Sequence, residues 1–291
     1  MKRNFILVTI CLIFGCQLSL SQLLWRVQYP GSENVSYVLG THHLAPVSVI
    51  DSIHGLSSAI NSVDSIYGEI DMQEMRSVQA MRLMHEAMIA PNDSTLDVLL
   101  TESQLDSLSV VVSPYNINVE SFKFMKPSAV STMLLMYMAP EIVPGGKVGE
   151  SMDEYIQSCG RAMGKQVKGL ESVEFQLELL YGKSMMEQAR DLMYVVANFN
   201  QEKEISRQLT QSYMSQDFPG LARLVLSPTM SADEIKRLIY NRNISWANFL
   251  SPTLMHQKAL IAVGIAHLVG PFGVLERLRR YGYDVTPVNP G

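Results

Sequence analysis

The sequence of 291 residues is short of cysteine, of charge and of long apolar runs, and each shortage excludes something. Its 3 cysteines are Cys11, Cys16 and Cys159. The first two fall in an N-terminal segment laid out like an export signal. Beyond that segment Cys159 stands alone, which excludes an intramolecular disulfide. A lone thiol of this kind reads first as a small buried side chain and only second as a nucleophile. Charged residues make up 18% of the chain, the formal net charge is −5, and no Lys/Arg stripe occurs. A phosphate backbone needs a dense basic surface, so nucleic acid is excluded as the expected partner. After residue 21 no apolar run approaches the roughly 20 residues that span a bilayer. What is present is a 47% apolar composition, which excludes a disordered chain, a collagen and a disulfide scaffold, on a length that supports a large core.

The amino terminus carries its own information. Lys2 and Arg3 precede the apolar run from Phe5 to Phe14, and Ser19 and Ser21 supply small residues before a cut at Gln22. Residues 1–21 are therefore read as a secretory signal peptide. Its removal takes the net charge from −5 to −7, because it holds two cations and no anion. A competing reading attaches lipid at Cys16 in Ile13-Phe14-Gly15-Cys16, although Phe14 is bulky where such sites carry small or aliphatic residues. The mature chain is expected outside the cytoplasm, secreted or periplasmic, and held at a membrane only if Cys16 is lipidated.

Short apolar runs alternate with helical patterns. Val35–Leu39, Ser65–Tyr67, the weaker Val167–Leu170, Ala259–Val263 and Asp284–Val288 read as strands. The last is expected at a sheet edge, because Pro287 cannot donate to a ladder. Thr101-x-x-Gln104, Ser151-x-x-Glu154 and Ser231-x-x-Glu234 have capping-box spacing, with breaks near 91, 114, 144 and 219. The expected fold is α/β: a mainly parallel sheet assembled from both ends of a single domain, 22–291, with a large helical insertion over about 72–255. Parallel strands place their functional residues at the carboxyl edge.

Two of these strands end alike, in Gly40-Thr41-His42-His43 and in Gly264-Ile265-Ala266-His267. Both are Gly-x-x-His, where residue counts predict roughly 0.4 such spacings by chance. Glycine lets the chain turn without a Cβ clash, and the imidazole is then carried on a rigid support. Glu69 ends the second strand and Glu171 the third. Two imidazoles and two carboxylates at one edge suit a divalent ion such as zinc, manganese or cobalt, and equally suit metal-free acid/base hydrolysis. Their meeting follows from the sheet topology and not from spacing alone. The plainer readings are a turn-capping histidine and a solvated strand-end glutamate. His42 is the weaker of its pair, because alternation turns it away from His43. His85-Glu86 begins like a zinc-protease helix, but Ile89 stands where the second histidine belongs. His54 and His256 read as surface or core residues. Met81, Met84 and Met88, among 18 methionines, share a helical face that reads as core packing before it reads as a peptide groove. Neither Trp25 nor Trp246 receives a role.

Several ordered motifs together resemble the TraB/PrgY/GumN family, which includes the Tiki metalloproteases. They are Tyr37-Val38-Leu39-Gly40-Thr41-His42-His43-Leu44, Tyr67-Gly68-Glu69-Ile70-Asp71, Gly169-Leu170-Glu171-Ser172 with Gln176, Asn241-Arg242-Asn243, and Ala262 through Gly270 with Gly273, Leu278 and Gly282-Tyr283. The resemblance implies a fold related to erythromycin esterases and haem-binding ChaN-like proteins. In Tiki-like members two Gly-x-x-His motifs and a glutamate are tied to metal-dependent peptide cleavage; these fall on His43, His267 and Glu69. The family's Arg-Asn pair falls on Arg242 and Asn243, with Arg242 expected to hold a substrate carboxylate or a developing oxyanion, or else to be a solvated helix-end ion pair. Glu171 is expected as a supporting acid/base. Asn241 departs from the acidic residue of many relatives, and His42 is an extra imidazole that could add a ligand. The implied activity is metal-dependent hydrolysis of a peptide or small molecule. Alternatives are a metal-free esterase-like hydrolase with His43 as base, and a non-catalytic peptide-signal or haem-binding protein.

Overall fold

The computed structural model describes residues 23–143, 149–225 and 231–288. The expected leader, its Cys16 and the break at Pro144 lie outside the described residues. Among the described residues, no helix is long and apolar enough to cross a membrane.

The protein is a mixed α/β structure around one six-stranded sheet in the order β4-β3-β5-β2-β1-β6. The strands are β1 (Leu24–Gln28), β2 (Val35–Thr41), β3 (Ser65–Gly68), β4 (Gln166–Gly169), β5 (Ala259–Gly264) and β6 (Asp284–Pro287). Pairing is parallel from β4 through β3 and β5 to β2, and antiparallel where β1 and β6 complete the sheet. The expected sheet thus holds in the main, with β1 as an unexpected sixth strand. Its sequence LWRVQ mixes Arg26 and Gln28 with apolar residues and begins next to the leader, so no isolated apolar run marks it. β6 is an outermost strand paired only with β1, the place Pro287 requires.

Ala259 through Val263 on β5 are all fully buried. That is the signature of a strand covered on both faces, with burial of Leu260, Ile261 and Val263 contributing roughly 1.5–3 kcal/mol each. They pack with Val38, Leu39, Ile66, Tyr67, Trp246 and Leu250 in one core. A second core, around Leu96, Leu108, Val130, Leu134 and Leu192, joins the helices between β3 and β5.

Thr101 with Gln104 and Ser231 with Glu234 form reciprocal capping boxes. Ser151 also caps its helix, Met152–Ala162, by accepting from the Glu154 amide, but the Glu154 carboxylate pairs with Arg76 rather than reaching back to the cap. Ser184 and Glu187 form a further box. Met84 and Met88 pack beside Val173, Leu177 and Tyr181, as core residues would, whereas Met81 is largely exposed.

Candidate active site

The register of the parallel strands decides what meets at their carboxyl edge. Gly68 pairs with Gly169, Thr41 with Gly264 and Tyr67 with Ile261, so the four strands end at one edge, with β2 and β5 two residues beyond β3 and β4. Read along the sheet from β4 to β2, the residues that follow are Glu171, Glu69, His267 and His43. His54, His85 and His256 are exposed and stand apart from this edge.

The glycines of the two motifs have ordinary negative φ and serve close approach rather than a left-handed turn. A Cβ on Gly40 would strike Ile265, and one on Gly264 would stand 3.1 Å from Glu69 Oε1. That clearance lets the Gly264 amide donate to Glu69 Oε1 at 2.8 Å.

Arg242 ties the edge together. It projects from the helix Asn241–His256, and its side chain is 8% exposed. Nε donates to Glu171 Oε1 at 2.9 Å, and Nη2 donates to Glu171 Oε2 at 2.8 Å and to Glu69 Oε2 at 2.5 Å. Nη1 donates to the Leu238 carbonyl and to His267 Nε2, both at 3.1 Å. One planar fork thus spans two carboxylates and an imidazole, a geometry only guanidinium offers. The Trp246 ring lies under the guanidinium at 4.7 Å and beside the His267 ring at 4.4 Å, and its Nε1 donates to Glu171 Oε1 at 3.0 Å. Gln176 Nε2 donates to both glutamates, at 3.4 and 3.3 Å.

His267 Nδ1 donates to Asn243 Oδ1 at 2.7 Å, which leaves Nε2 as the acceptor of the Arg242 hydrogen. Asn243, fully buried, returns its amide hydrogens to the His267 and Phe272 carbonyls. Burial pushes the His267 pKa down to about 4, so the ring is neutral at pH 7. Glu69 is held down at about 2: burial would raise it, but the neighbouring charges of His267, Arg242 and His43 and the Gly264 amide outweigh burial. Because His267 is neutral near pH 7, Arg242 is the buried cation that keeps Glu69 ionised there.

His43 stands in a different setting, with its side chain 68% exposed. Its Nδ1 donates to Asp153 Oδ2 at 3.0 Å, and Asp153 Oδ1 accepts from the buried Thr41 hydroxyl at 2.8 Å. The Asp153 hydrogen bond raises the His43 pKa, a shift that solvent around the exposed ring moderates. His42 turns the other way and donates from Nε2 to Thr210, whose own hydroxyl goes to the Ser206 carbonyl.

The TraB/PrgY/gumN family model matches residues 23–287. The chain belongs to the TraB/PrgY/gumN family. It is also similar to "Metalloprotease TIKI2" of Danio rerio, 22% identical over 325 residues that take in 94% of this chain. The chain spans 62% of that relative's length. No solved structure matches.

A TraB/PrgY/gumN chain with a metalloprotease relative raises the question of whether these residues fit a divalent ion. In kind they do: each imidazole has its Nδ1 committed to an oxygen acceptor, Asp153 or Asn243, the second-shell arrangement that turns Nε2 toward a metal. His267 Nε2 and Glu69 Oε1 are 3.8 Å apart, near the roughly 3.4 Å that separates two tetrahedral ligands at zinc bond lengths. As arranged, Arg242 covers His267 Nε2, and no group of three or more ligating side chains is gathered among the described residues.

Asp153 and Trp246 were not singled out from the sequence. Asp153 sits in the first turn of an ordinary-looking capped helix, where an acidic residue signals only helix polarity. Trp246 is one turn beyond Arg242, the only hint that both serve one cluster.

Proposed function

We propose that the chain is an exported hydrolase that cleaves a peptide bond at the carboxyl edge of the sheet, with a divalent ion held by His43, His267 and Glu69. The observation that carries this reading is the delivery of two backed imidazoles and two glutamates to one edge by four parallel strands. The Tiki relative supports the reaction class. When bound, zinc, manganese or cobalt supplies Lewis-acid polarisation. Asp153 and Asn243 fix the two ring orientations. With Glu69 given to the ion, Glu171 accepts the proton of the attacking water, steadied by Trp246 and Gln176. Arg242 holds Glu171 in place, and the Nη1 hydrogen it now gives to His267 is the one that would turn to the oxyanion or to a substrate carboxylate. A half-open cavity of about 500 Å³, walled by Leu170, Phe175 and Leu179, reaches Glu171 and Arg242 and suits an apolar side chain of a peptide. A slightly larger hollow of about 550 Å³ beside Tyr115 and Phe199 shares no residue with this edge.

A second reading has its own observation. The His43–Asp153 pair, open to solvent, is arranged as a metal-free acid/base couple of the kind an esterase-like hydrolase on this fold would use.

Metal analysis of protein purified without chelator, followed by a peptide-library digest with and without EDTA, tests both. Stoichiometric metal and EDTA-sensitive cleavage are expected, with metal uptake and cleavage both lost in His43→Ala and in His267→Ala. EDTA-resistant cleavage that still needs His43 and Asp153 selects the second reading. A Soret band on haem titration without any cleavage rejects both.

A further inference from the structure

We infer that Arg242 is the site's own displaceable cation: its Nη1 occupies the His267 lone pair that a divalent ion would take, and ion binding would turn Nη1 off His267 while Nη2 and Nε stay on Glu69 Oε2 and Glu171. The inference rests on the metal-dependent reading above. It starts from an exclusion at a single atom. His267 Nε2 has one lone pair, and with Nδ1 bonded to Asn243 that lone pair accepts from Arg242 Nη1. It cannot accept that hydrogen and ligate an ion at once.

The charges agree. Glu69 and Glu171 are two buried carboxylates, and Arg242 returns one positive charge, leaving the trio one charge short of neutral. A divalent ion at His267 Nε2 would meet an unmoved Nη1 that lies 3.1 Å from the same atom. If Nη1 retreats, His267 Nε2 and Glu69 Oε1 would be open to the ion, and Arg242 keeps Glu69 Oε2 and Glu171.

The retreat has a built path. Glu171 holds Arg242 through Nε and Nη2, at 2.9 and 2.8 Å, so the contact to Glu171 is a two-point hinge. The contact to His267 is a single hydrogen bond from Nη1 that a small rotation about this hinge releases, while Nη2, on the hinge, keeps Glu69. The Leu238 carbonyl already shares Nη1 and can keep it. The Trp246 face supports the guanidinium in either position.

The test uses the full mature chain and zinc chloride alone, read by calorimetry and by nitrogen NMR of the arginine and histidine side chains. Arg242→Gln is expected to bind the ion about tenfold tighter than the parent, because a competing like charge is removed. In the parent, ion addition is expected to shift His267 Nε2 and the Arg242 Nη signals together, while the Trp246 Nε1–H bonded to Glu171 stays in place. The NMR readout stands even if Arg242→Gln fails to fold. Equal or weaker binding by a folded variant, or saturation of the parent with Arg242 Nη unchanged, overturns the displacement and leaves the metal site standing. Failure of both proteins to bind the ion overturns the metal site and the displacement together.

Discussion

His43 and His267 close the same four-residue motif on adjacent parallel strands, yet the protein gives them opposite states. His267 is 4% exposed, held by a neutral amide from Asn243 and kept uncharged by burial. His43 is 68% exposed, held by the Asp153 carboxylate and biased toward the charged form. The motif sets position, because glycine and strand register determine where the ring arrives. Surroundings set chemistry, because burial keeps His267 uncharged while the Asp153 carboxylate favours a proton on His43. One edge thereby holds a neutral ring, its lone pair covered by Arg242, and a ring inclined to carry a proton.

Removing the two partners is the largest expected break in this symmetry. Asn243→Ala strands a buried Nδ1–H and two backbone carbonyls, and is expected to cost about 2–4 kcal/mol in urea unfolding. Asp153→Ala leaves His43 to water and strands mainly the buried Thr41 hydroxyl, for about 1 kcal/mol. Equal costs would mean that the two settings differ less than their exposure implies.

How much of this was written in the sequence follows the same division. The strands at 35, 65 and 259 were legible as apolar runs ending in glycine, and the edge strand at 284 through Pro287, because burial and ladder geometry are local demands on residue type. So were His43, Glu69, Glu171 and His267, as polar residues at the ends of those strands. β1 was not, since LWRVQ gains its strand character from β2 and β6 on either side. Asp153, 110 residues from His43, and Trp246, 75 residues from Glu171, act through contacts that no local pattern encodes. The purpose of Arg242 was legible only in part: an ion pair at a helix end could be expected, but a solvated one, and neither its burial against two glutamates nor its hold on His267 could.

The pH dependence of metal-free protein sharpens the comparison next. The folded pKa of His267 lies below its unfolded value of 6.5, at about 4, so its stabilisation is complete above 6.5 and is lost as pH falls toward 4. Over that window stability should rise with pH at up to about 1.4 kcal/mol per unit from this group. The folded pKa of His43 is raised, so its contribution is complete below 6.5 and is lost as pH climbs through the raised value. Urea unfolding from pH 4 to 9 should therefore show a rise and then a decline, and Asp153→Asn should flatten only the alkaline decline. An acidic limb that also flattens in that variant would show that the two rings are not independent.

The glycines make the smallest and most pointed contrast. A Cβ on Gly40 meets the Ile265 side chain and comes within 3.3 Å of the Ile265 Cα, so Gly40→Ala must move backbone, at about 1–3 kcal/mol. A Cβ on Gly264 meets only Glu69 Oε1 at 3.1 Å and His267 at 3.7 Å. A carboxylate end can give by a few tenths of an ångström, so Gly264→Ala should cost under about 1 kcal/mol. Yet the atom that moves is one the proposed chemistry needs, and its bond to the Gly264 amide would lengthen with it. Gly264→Ala should therefore keep most of its stability and lose metal affinity, whereas Gly40→Ala should lose stability first. The reverse order would mean that the second motif's glycine serves folding, and that Glu69 owes its position to Arg242 alone.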